Sequence, residues 1–345
     1  METRSENRLT YPDFLKGIAV LCMIQVHLME LFATDEIYGS AFGKVSLFLG
    51  AVPAAPVFMT VMGYFAVRAR QTGMALLRGV KIFLLGLALN IGLNAHLLLK
   101  IYQGDIALNP YQYIFGADIL FLAGISIIVI ALLKKLFHGN LIMWLMFALF
   151  LASANAWLPN YTGQNNWIYY VQALFWGQLS WSFFPVFPWM VYPVLGVIFQ
   201  LIEMKYSQQL NKVSSSNLTL PALFILNIPF FMKGFTVATE LRAYYHHPAW
   251  FVVWAILFMA FWMMLLNRLC KITSDIRVNT YLVWVGKNVT VFYVIQWLII
   301  GNIATALFRT QSWPMLFAWF IVILIVTSAL TKMWLKMKNR SISNR

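Results

Sequence analysis

The stretch that decides the fold is residues 13–30, DFLKGIAVLCMIQVHLME. It is the first long apolar run of the chain, and its core between Lys16 and His27 carries no charge. Ten residues separate Lys16 from His27, which is roughly 16 Å along a helix axis and close to three full turns. The spacing therefore predicts one membrane helix with both side chains on nearly the same face.

Two interpretations of these side chains stay open on spacing alone. An ionisable residue inside a membrane helix usually faces the bundle interior and marks a pathway or a site, because facing lipid costs about 3 kcal/mol. Equally, Lys16 fits an interfacial anchor that extends its amine to the headgroups, and His27 fits a hydrogen-bonded packing residue.

The composition places the whole chain in a membrane. Of its 345 residues 61% are hydrophobic and only 10% are charged, with a mean hydropathy of +0.74. A soluble domain carries about 25% charged residues, so the soluble class is excluded. The first apolar run lacks a small-x-small cleavage site, so it is interpreted as a retained helix rather than a removed signal peptide.

The hydropathy pattern predicts an all-α polytopic protein with about ten transmembrane helices in a single domain, 1–345, with short tails at 1–12 and 337–345. The predicted spans are 14–32, 46–67, 79–99, 113–133, 141–158, 184–203, 218–235, 248–268, 281–304 and 314–336. No internal repeat is visible, which weakens an inverted-repeat transporter interpretation.

Basic residues predict the orientation. With both termini in the cytoplasm, 20 of the 25 lysines and arginines fall on the cytoplasmic side. The outer side keeps Lys44, Lys100, Lys233, Arg242 and Arg309. This asymmetry accounts for most of the net charge of +14, so no nucleic-acid partner is expected. It also puts Lys16 at the cytoplasmic end of the first helix and His27 toward the outer face.

Other polar groups in the predicted spans gather in the same outer half. They are Glu30, His96, Asp118 and Gln296. Asp118 is the most diagnostic, because it is a carboxylate in an otherwise apolar span. A structural hydrogen bond between helices and a role in orienting His27 or His96 are both open for it.

A cytoplasmic loop concentrates four cations, Arg68, Arg70, Arg78 and Lys81, around Gly73 and the start of a helix. Such a cluster can simply bind anionic lipid headgroups and set the orientation of the chain in the membrane. Phosphate binding is the sharper interpretation, because backbone amides at a helix start also favour anions.

The predicted outer loop 157–187 contains no charged residue. Its candidate sugar-binding side chains are Trp167, Trp176 and Trp181, with amides that include Gln164 and Asn165. Apolar sugar faces stack on aromatic rings while amides bond hydroxyls, but an aromatic membrane belt explains the same composition. The run 167–184 is too interrupted for a further span and suggests a re-entrant or interfacial segment.

The sequence contains none of the short motifs that mark several common enzyme chemistries. The chain lacks a GxSxG elbow, a P-loop, a dinucleotide-binding glycine pattern and an HxxxxD motif. Its two cysteines, Cys22 and Cys270, are too far apart for a CxxC site, and no metal is expected.

The pattern Asp-x-x-(Arg/Lys)-Gly followed by a basic-x10-His spacing resembles the first helix of the transmembrane acyltransferase-3 family. It is similar also to the heparan-α-glucosaminide N-acetyltransferase-like group of the same superfamily. The matching residues are Asp13, Lys16, Gly17 and His27, and weaker matches follow at 55–64 (APVFMTVMGY), 187–196 (FPWMVYPVLG), 286–288 (GKN) and 293–296 (YVIQ). Lys16 departs from the commoner arginine, so a bidentate phosphate contact would be lost there.

The resemblance implies a membrane acyltransferase, expected in a bacterial inner membrane. It implies an acyl-CoA donor, with acetyl-CoA expected, and a hydroxyl or amine acceptor on a glycan or glycolipid at the outer face. His27 would be the general base, with Lys16 and Asp118 as further catalytic candidates. Donor contacts are expected from Lys16, Arg68, Arg70, Arg78, Lys81, Lys287 and Asn288, and acceptor contacts from Glu30, His96, Trp167, Trp176, Trp181 and Gln296.

The competing class is a multi-spanning transporter or flippase of a lipid-linked or sugar substrate. It shares the helix count, the polar residues in spans and the aromatic loop, but no glycine- or proline-broken helix pair in matching halves supports it. Membrane lipid is an expected partner in either case, and association into a homo-oligomer is left open.

Overall fold

The computed structural model describes residues 10–163 and 166–343. The predicted tails 1–12 and 337–345 therefore lie partly outside the described residues, as do Gln164 and Asn165 of the aromatic loop. The described chain is helical, and its only β-type pairings are isolated bridges between Ala33 and Gln311 and between Ala117 and Ser182.

The helices, in chain order, are α1 (Thr10–Leu31), α2 (Asp35–Gly39), α3 (Ala41–Gly50), α4 (Ala55–Ala66), α5 (Thr72–Leu93), α6 (Ala95–Tyr102), α7 (Pro110–Ile114), α8 (Ile119–Phe137), α9 (Leu141–Ala154), α10 (Asn166–Phe175), α11 (Val186–Trp189), α12 (Val191–Ser215), α13 (Thr219–Thr239), α14 (Leu241–Tyr245), α15 (Ala249–Ile272), α16 (Arg277–Lys287), α17 (Val289–Leu307) and α18 (Trp313–Ser343).

Nine helical segments in the described part of the chain are long and apolar enough to cross a membrane. They are Thr10–Leu31, Ala41–Ala66, Thr72–Leu93, Ile119–Phe137, Val186–Ser215, Thr219–Thr239, Ala249–Ile272, Val289–Leu307 and Trp313–Arg340. The predicted span 141–158 corresponds to α9, an apolar helix of 14 residues. At 1.5 Å per residue α9 is about 21 Å long, shorter than a hydrocarbon core of about 30 Å.

Backbone contacts nevertheless require a crossing at α9. The amide of Ala117 donates to the carbonyl of Trp181, and the amides of Phe183 and Phe184 donate to the carbonyl of Ala117. The start of α8 and the segment that leads into α11 therefore meet at the same end of the bundle. Since α8 carries the chain away from that end, α9 and the residues after it must bring the chain back. The chain is thus an all-α membrane protein of about ten passes, as the sequence predicts, while the orientation of its termini stays a prediction.

We name the two ends of the bundle by α1. The proximal end is where α1 begins, at Thr10, and the distal end is where α1 finishes, at Leu31. The sequence predicts that the proximal end is cytoplasmic. At the distal end the α17–α18 loop is pinned to the end of α1, because the amides of Arg309 and Gln311 donate to the carbonyls of Leu31 and Phe32.

Some predicted boundaries are wrong. The third span begins at Thr72 rather than 79, and the predicted span 281–304 divides at Asn288 into α16 and α17. The fourth begins at Ile119 rather than 113, so Asp118 precedes this helix instead of lying inside it. The run 167–184, by contrast, agrees with the prediction that it is not a further span, because it contributes only the ten-residue helix α10.

The first helix is the centre of the bundle. It packs against α3, α4, α15, α16, α17 and α18. Its closest approach is to α16, where a Cβ on Gly17 would lie 2.1 Å from the carbonyl oxygen of Leu282 and a Cβ on Gly286 would lie 1.7 Å from that of Asp13. Small residues let membrane helices approach backbone to backbone. Gly17 and Gly286, which lie in two of the stretches that resemble the family, are therefore needed for the close packing of α1 and α16.

Candidate active site

A cavity of about 610 Å³ lies at the distal end. Its wall is formed by the last turns of α1 and α5, the α3–α4 junction, the start of α8, the segment that leads into α11, α14 and the second half of α17. This volume is within the range of small-molecule sites, and a site between helices of a bundle is a common location.

His27 is the histidine of this cavity. All five histidines lie in the described part of the chain, and of these only His27 contributes to the wall. Its ring packs against Trp297 of α17 with ring centroids 3.9 Å apart and an interplanar angle of 32°. The Nδ1 atom is buried and has no hydrogen-bond partner. The predicted base is therefore held by an aromatic contact, and its buried Nδ1 atom forms no hydrogen bond.

Gln296 precedes Trp297 on α17, and its side chain is near His27. Its side chain is fully buried, and neither amide atom forms a hydrogen bond of ordinary geometry. The amide nonetheless lies close enough to the His27 ring to act on it electrostatically. Gln296 was predicted as an acceptor contact, but the structure keeps it out of the cavity wall and beside the base.

Asp118 enters the cavity from the start of α8. Its Oδ1 accepts a hydrogen bond from the amide of Ile119 at 2.7 Å, which caps the helix. The hydroxyl of Tyr293 lies 3.4 and 3.3 Å from the two carboxylate oxygens. The side chain has the structural role that the sequence left open, and it also faces the same cavity as His27.

Glu30 is the second carboxyl group of the wall. It lies one turn beyond His27 on α1, and among the described residues it forms no ion pair. The wall contains Glu30 and Asp118 as its acidic residues, and no lysine or arginine of the described chain joins them.

Only one of the three tryptophans predicted to contact the acceptor lies in the cavity wall. Trp181 lines the cavity. Trp176 instead donates from its indole nitrogen to the carbonyl of Pro159 at 3.0 Å, and Trp167 packs against Tyr111, Phe115 and Tyr170 outside the wall.

His96 is also away from the cavity wall. Its amide donates to the side chain of Asn302 at 2.9 Å, and its Nδ1 lies 3.1 Å from the carbonyl oxygen of the same residue. These contacts tie α6 to α17, which is a structural role.

The predicted donor-binding cations stay at the proximal end, and none of them reaches the cavity. Lys16 pairs with Asp13 at 2.6 Å. Arg68 pairs with Glu203 at 3.3 Å and donates to the hydroxyl of Tyr64 at 2.5 Å. Two of the predicted residues are therefore already neutralised.

The remaining predicted donor contacts are less constrained. Arg70, Arg78, Lys81 and Lys287 are exposed and form no ion pair with another described residue. Asn288 uses its amide nitrogen to donate to the carbonyl of Trp284 at 2.9 Å, at the break between α16 and α17.

Sequence reasoning missed several cavity residues. Asn90 donates to the carbonyls of Ile114 and Gly116 at 3.1 and 2.9 Å and so holds the loop before α8. Asn90 is a polar residue inside an apolar span, so the reasoning that selected Asp118 from the sequence could also have selected Asn90. Tyr293 and Trp297 lie four residues apart on α17, so one helix face places both beside His27 and Asp118.

The distal loop residue His247 is a support for the cavity. Its Nδ1 lies 2.7 Å from the carbonyl oxygen of Tyr244, a wall residue, and its Nε2 lies 3.0 Å from the hydroxyl oxygen of Tyr192. Burial lowers the pKa of His247 to about 4. The ring is therefore neutral near pH 7, with both nitrogens engaged. No group of three or more histidine, cysteine or acidic residues within 10–163 and 166–343 could hold a metal ion.

The multi-pass helical bundle encloses a cavity whose wall holds a histidine, two carboxyl groups and four tyrosines, groups that can transfer protons in a polytopic membrane enzyme. The family model described as "Heparan-alpha-glucosaminide N-acetyltransferase, catalytic" matches residues 8–227, and the chain belongs to this family. It is thus an integral membrane protein with an acetyltransferase-like function, which confirms that part of the resemblance. Curated proteins and solved structures gave no significant match.

Proposed function

We propose that the protein transfers an acyl group, with acetyl as the expected group, from cytoplasmic acyl-CoA to a hydroxyl or amine of a glycan or glycolipid at the outer face of a bacterial inner membrane. The observation that carries the proposal is the position of His27. It faces a cavity large enough for a sugar ring and has an unpartnered ring nitrogen. Family membership favours transfer over transport.

The chemistry assigned to His27 is general-base catalysis. A ring nitrogen takes the proton of the acceptor hydroxyl or amine as the acceptor oxygen or nitrogen attacks the thioester carbonyl carbon. The new bond to that carbon forms, the carbon–sulfur bond breaks, and the CoA thiolate leaves and takes up a proton. A neutral imidazole serves this role near pH 7.

The donor fits the distribution of charge. Its phosphates need cations, and the exposed cations Arg70, Arg78 and Lys81 lie at the proximal end. Lys16 and His27 are about 16 Å apart along α1, a distance that an extended pantetheine arm bridges. The thioester would then reach the cavity while the phosphates remain outside it.

The decisive experiment compares transfer with uptake in the same sealed inverted vesicles. One set of vesicles is preloaded with p-nitrophenyl glucosaminide or p-nitrophenyl glucoside, so that the acceptor lies at the outer face, and radiolabelled acetyl-CoA is added at the exposed cytoplasmic face. A second set receives the same glycoside from outside. Acetylated product in the first set and trapped glycoside in the second are counted. We expect product, and His27→Gln should lower its rate by about 10²–10⁴-fold while acetyl-CoA binding persists. Uptake of glycoside without acetylation would overturn the proposal in favour of a transporter.

A further inference from the structure

The wall of the distal cavity has an unbalanced charge. It holds the carboxyl groups of Glu30 and Asp118, and no lysine or arginine of the described chain. We propose that the cavity selects its acceptor by charge: the entering part of the acceptor is neutral or positively charged, and a carboxylate, sulfate or phosphate is excluded. The assignment of the cavity to the acceptor rests on the proposed function, whereas the charge selectivity itself does not.

The physical reason is desolvation without compensation. Most of the wall is apolar, with side chains such as Leu93, Leu97 and Phe184. An anion that leaves water for such a wall loses its hydration, and neutral hydrogen-bond donors replace it only in part unless a cation also pairs with the anion. Among the described residues the wall offers no lysine or arginine, whether or not Glu30 and Asp118 hold protons. Where they are ionised, repulsion in this medium of low dielectric constant adds to the cost.

The distal basic residues do not correct this imbalance. Arg309 pairs with Asp35, and Lys100 pairs with Asp105 at 2.7 Å. Arg242 and the other two, Lys44 and Lys233, are exposed and outside the wall. The positive charge of the distal end is thus either neutralised or turned away from the cavity.

The inference narrows the acceptor class. A sugar ring that carries only hydroxyl, amine or amide groups can enter, while a uronate or a sulfated sugar cannot. If the acceptor is a glycolipid that carries a phosphate, the phosphate must lie outside the cavity. The same exclusion keeps the CoA phosphates out.

Charge selectivity can be measured without any transferase reaction. Thr305 lines the cavity, and Ser312 is exposed in the nearby α17–α18 loop. In a Cys22→Ser, Cys270→Ser background, Thr305→Cys and the matched control Ser312→Cys are each modified in detergent solution. The reagents are a trimethylammonium-ethyl and a sulfonatoethyl methanethiosulfonate, and the ratio of their rates at each cysteine is compared.

We expect the cation-to-anion rate ratio to be about tenfold higher at residue 305 than at residue 312, because the same charge enters a low-dielectric wall at one site and water at the other. Glu30→Gln with Asp118→Asn should bring the ratio at residue 305 several-fold closer to the control. Equal ratios at the two cysteines would overturn the proposal. An unchanged ratio in the carboxamide variant would overturn the part assigned to the two carboxyl groups.

The acceptor consequence has its own measurement. p-Nitrophenyl glucoside and p-nitrophenyl glucuronide differ in one carboxylate, and the glucoside should be acetylated at least about tenfold faster at equal concentration. Equal transfer to both would overturn the charge inference and leave the proposed function standing. A lack of transfer to either, together with a high labelling ratio at residue 305, would count against the proposed function alone.

Discussion

The indole of Trp297 and the imidazole of His27 lie against each other, with centroids 3.9 Å apart. One ring belongs to α17 and the other to α1, helices that are far apart in sequence. The contact sets the direction in which the His27 ring faces the cavity. Since positioning controls the geometry of proton transfer, Trp297 should affect the rate although it takes no proton itself.

Replacement of Trp297 by leucine tests this positioning role. Removal of the ring frees the imidazole to rotate, and a displacement of about 1 Å can cost about 10²-fold in rate. We expect kcat to fall by about 10–100-fold with the KM for acetyl-CoA unchanged. Trp297→Phe keeps an aromatic face and should retain more activity. A wild-type kcat for Trp297→Leu would show that the ring contact does not orient His27.

Gln296→Met separates catalysis from stability. The wild-type amide is fully buried without a hydrogen bond of ordinary geometry, and such a group costs about 1–3 kcal/mol. An apolar side chain of similar size should therefore leave the melting temperature equal or higher, while kcat falls because His27 loses its polar neighbour. Thermal unfolding in detergent and the transfer assay give the two readouts. If kcat stays at the wild-type value, Gln296 has no function toward His27.

Asp118 has two roles that two substitutions distinguish. Asp118→Ala removes the cap of α8 and should lower stability by about 1 kcal/mol. Asp118→Asn can still accept from the amide of Ile119, so its stability should stay near wild type. Both remove the carboxyl group that faces Tyr293, so Asp118→Asn and Tyr293→Phe should change kcat similarly. Equal destabilisation by Ala and Asn would contradict the capping role.

The sequence predicted those parts of the molecule that depend on local pattern. Long apolar runs, the basic asymmetry and the Lys16–His27 spacing lead to the class, the number of passes and the helix that carries His27. The crossing at α9 could be predicted from its apolar run, but its shortness and its return path depend on the contact of Ala117 with residues 181–184.

The residues that surround His27 were harder to predict from the sequence. Trp297 reaches His27 only because α17 packs on α1, and nothing local marks a tryptophan as the neighbour of a particular histidine. The wrong start of the fourth span has a physical cause too: the aromatic residues of 110–115 extend the apolar run, but Pro110 and the cap at Asp118 start two separate helices there. Donor and acceptor contacts depend on bound molecules and stay predictions.

The proximal cations should differ in their effect on donor binding. Arg68 already pairs with Glu203 and bonds Tyr64, whereas Arg78 and Lys81 are exposed without an ion pair among the described residues. We expect Arg78→Gln and Lys81→Gln to raise the KM for acetyl-CoA more than Arg68→Gln does, with little change in kcat, because a phosphate contact is made equally in the ground and transition states. The control is Lys135→Gln, a proximal cation outside the cluster. If all four variants keep the wild-type KM, the cluster serves topology only.

The α1–α16 contact is expected to be the least tolerant part of the fold. A Cβ at Gly286 would lie 1.7 Å from the carbonyl oxygen of Asp13, so Gly286→Ala must push α1 away from α16. Overpacking of this kind typically costs about 1–3 kcal/mol, and the displaced helix is the one that carries His27. We therefore expect a lower melting temperature together with a lower kcat.

The matched control for that substitution is Gly73→Ala. Gly73 lies in the first turn of α5 with no atom within 4 Å of a Cβ built there, and alanine in a helix is favoured over glycine by about 1 kcal/mol. Its melting temperature should stay equal or rise, and its kcat at saturating acetyl-CoA should stay unchanged. Thermal unfolding and transfer rates of the two variants, measured in one detergent, test the contact directly. If Gly286→Ala behaves like Gly73→Ala, then α1 and α16 do not need the backbone approach, and the position of His27 does not depend on it.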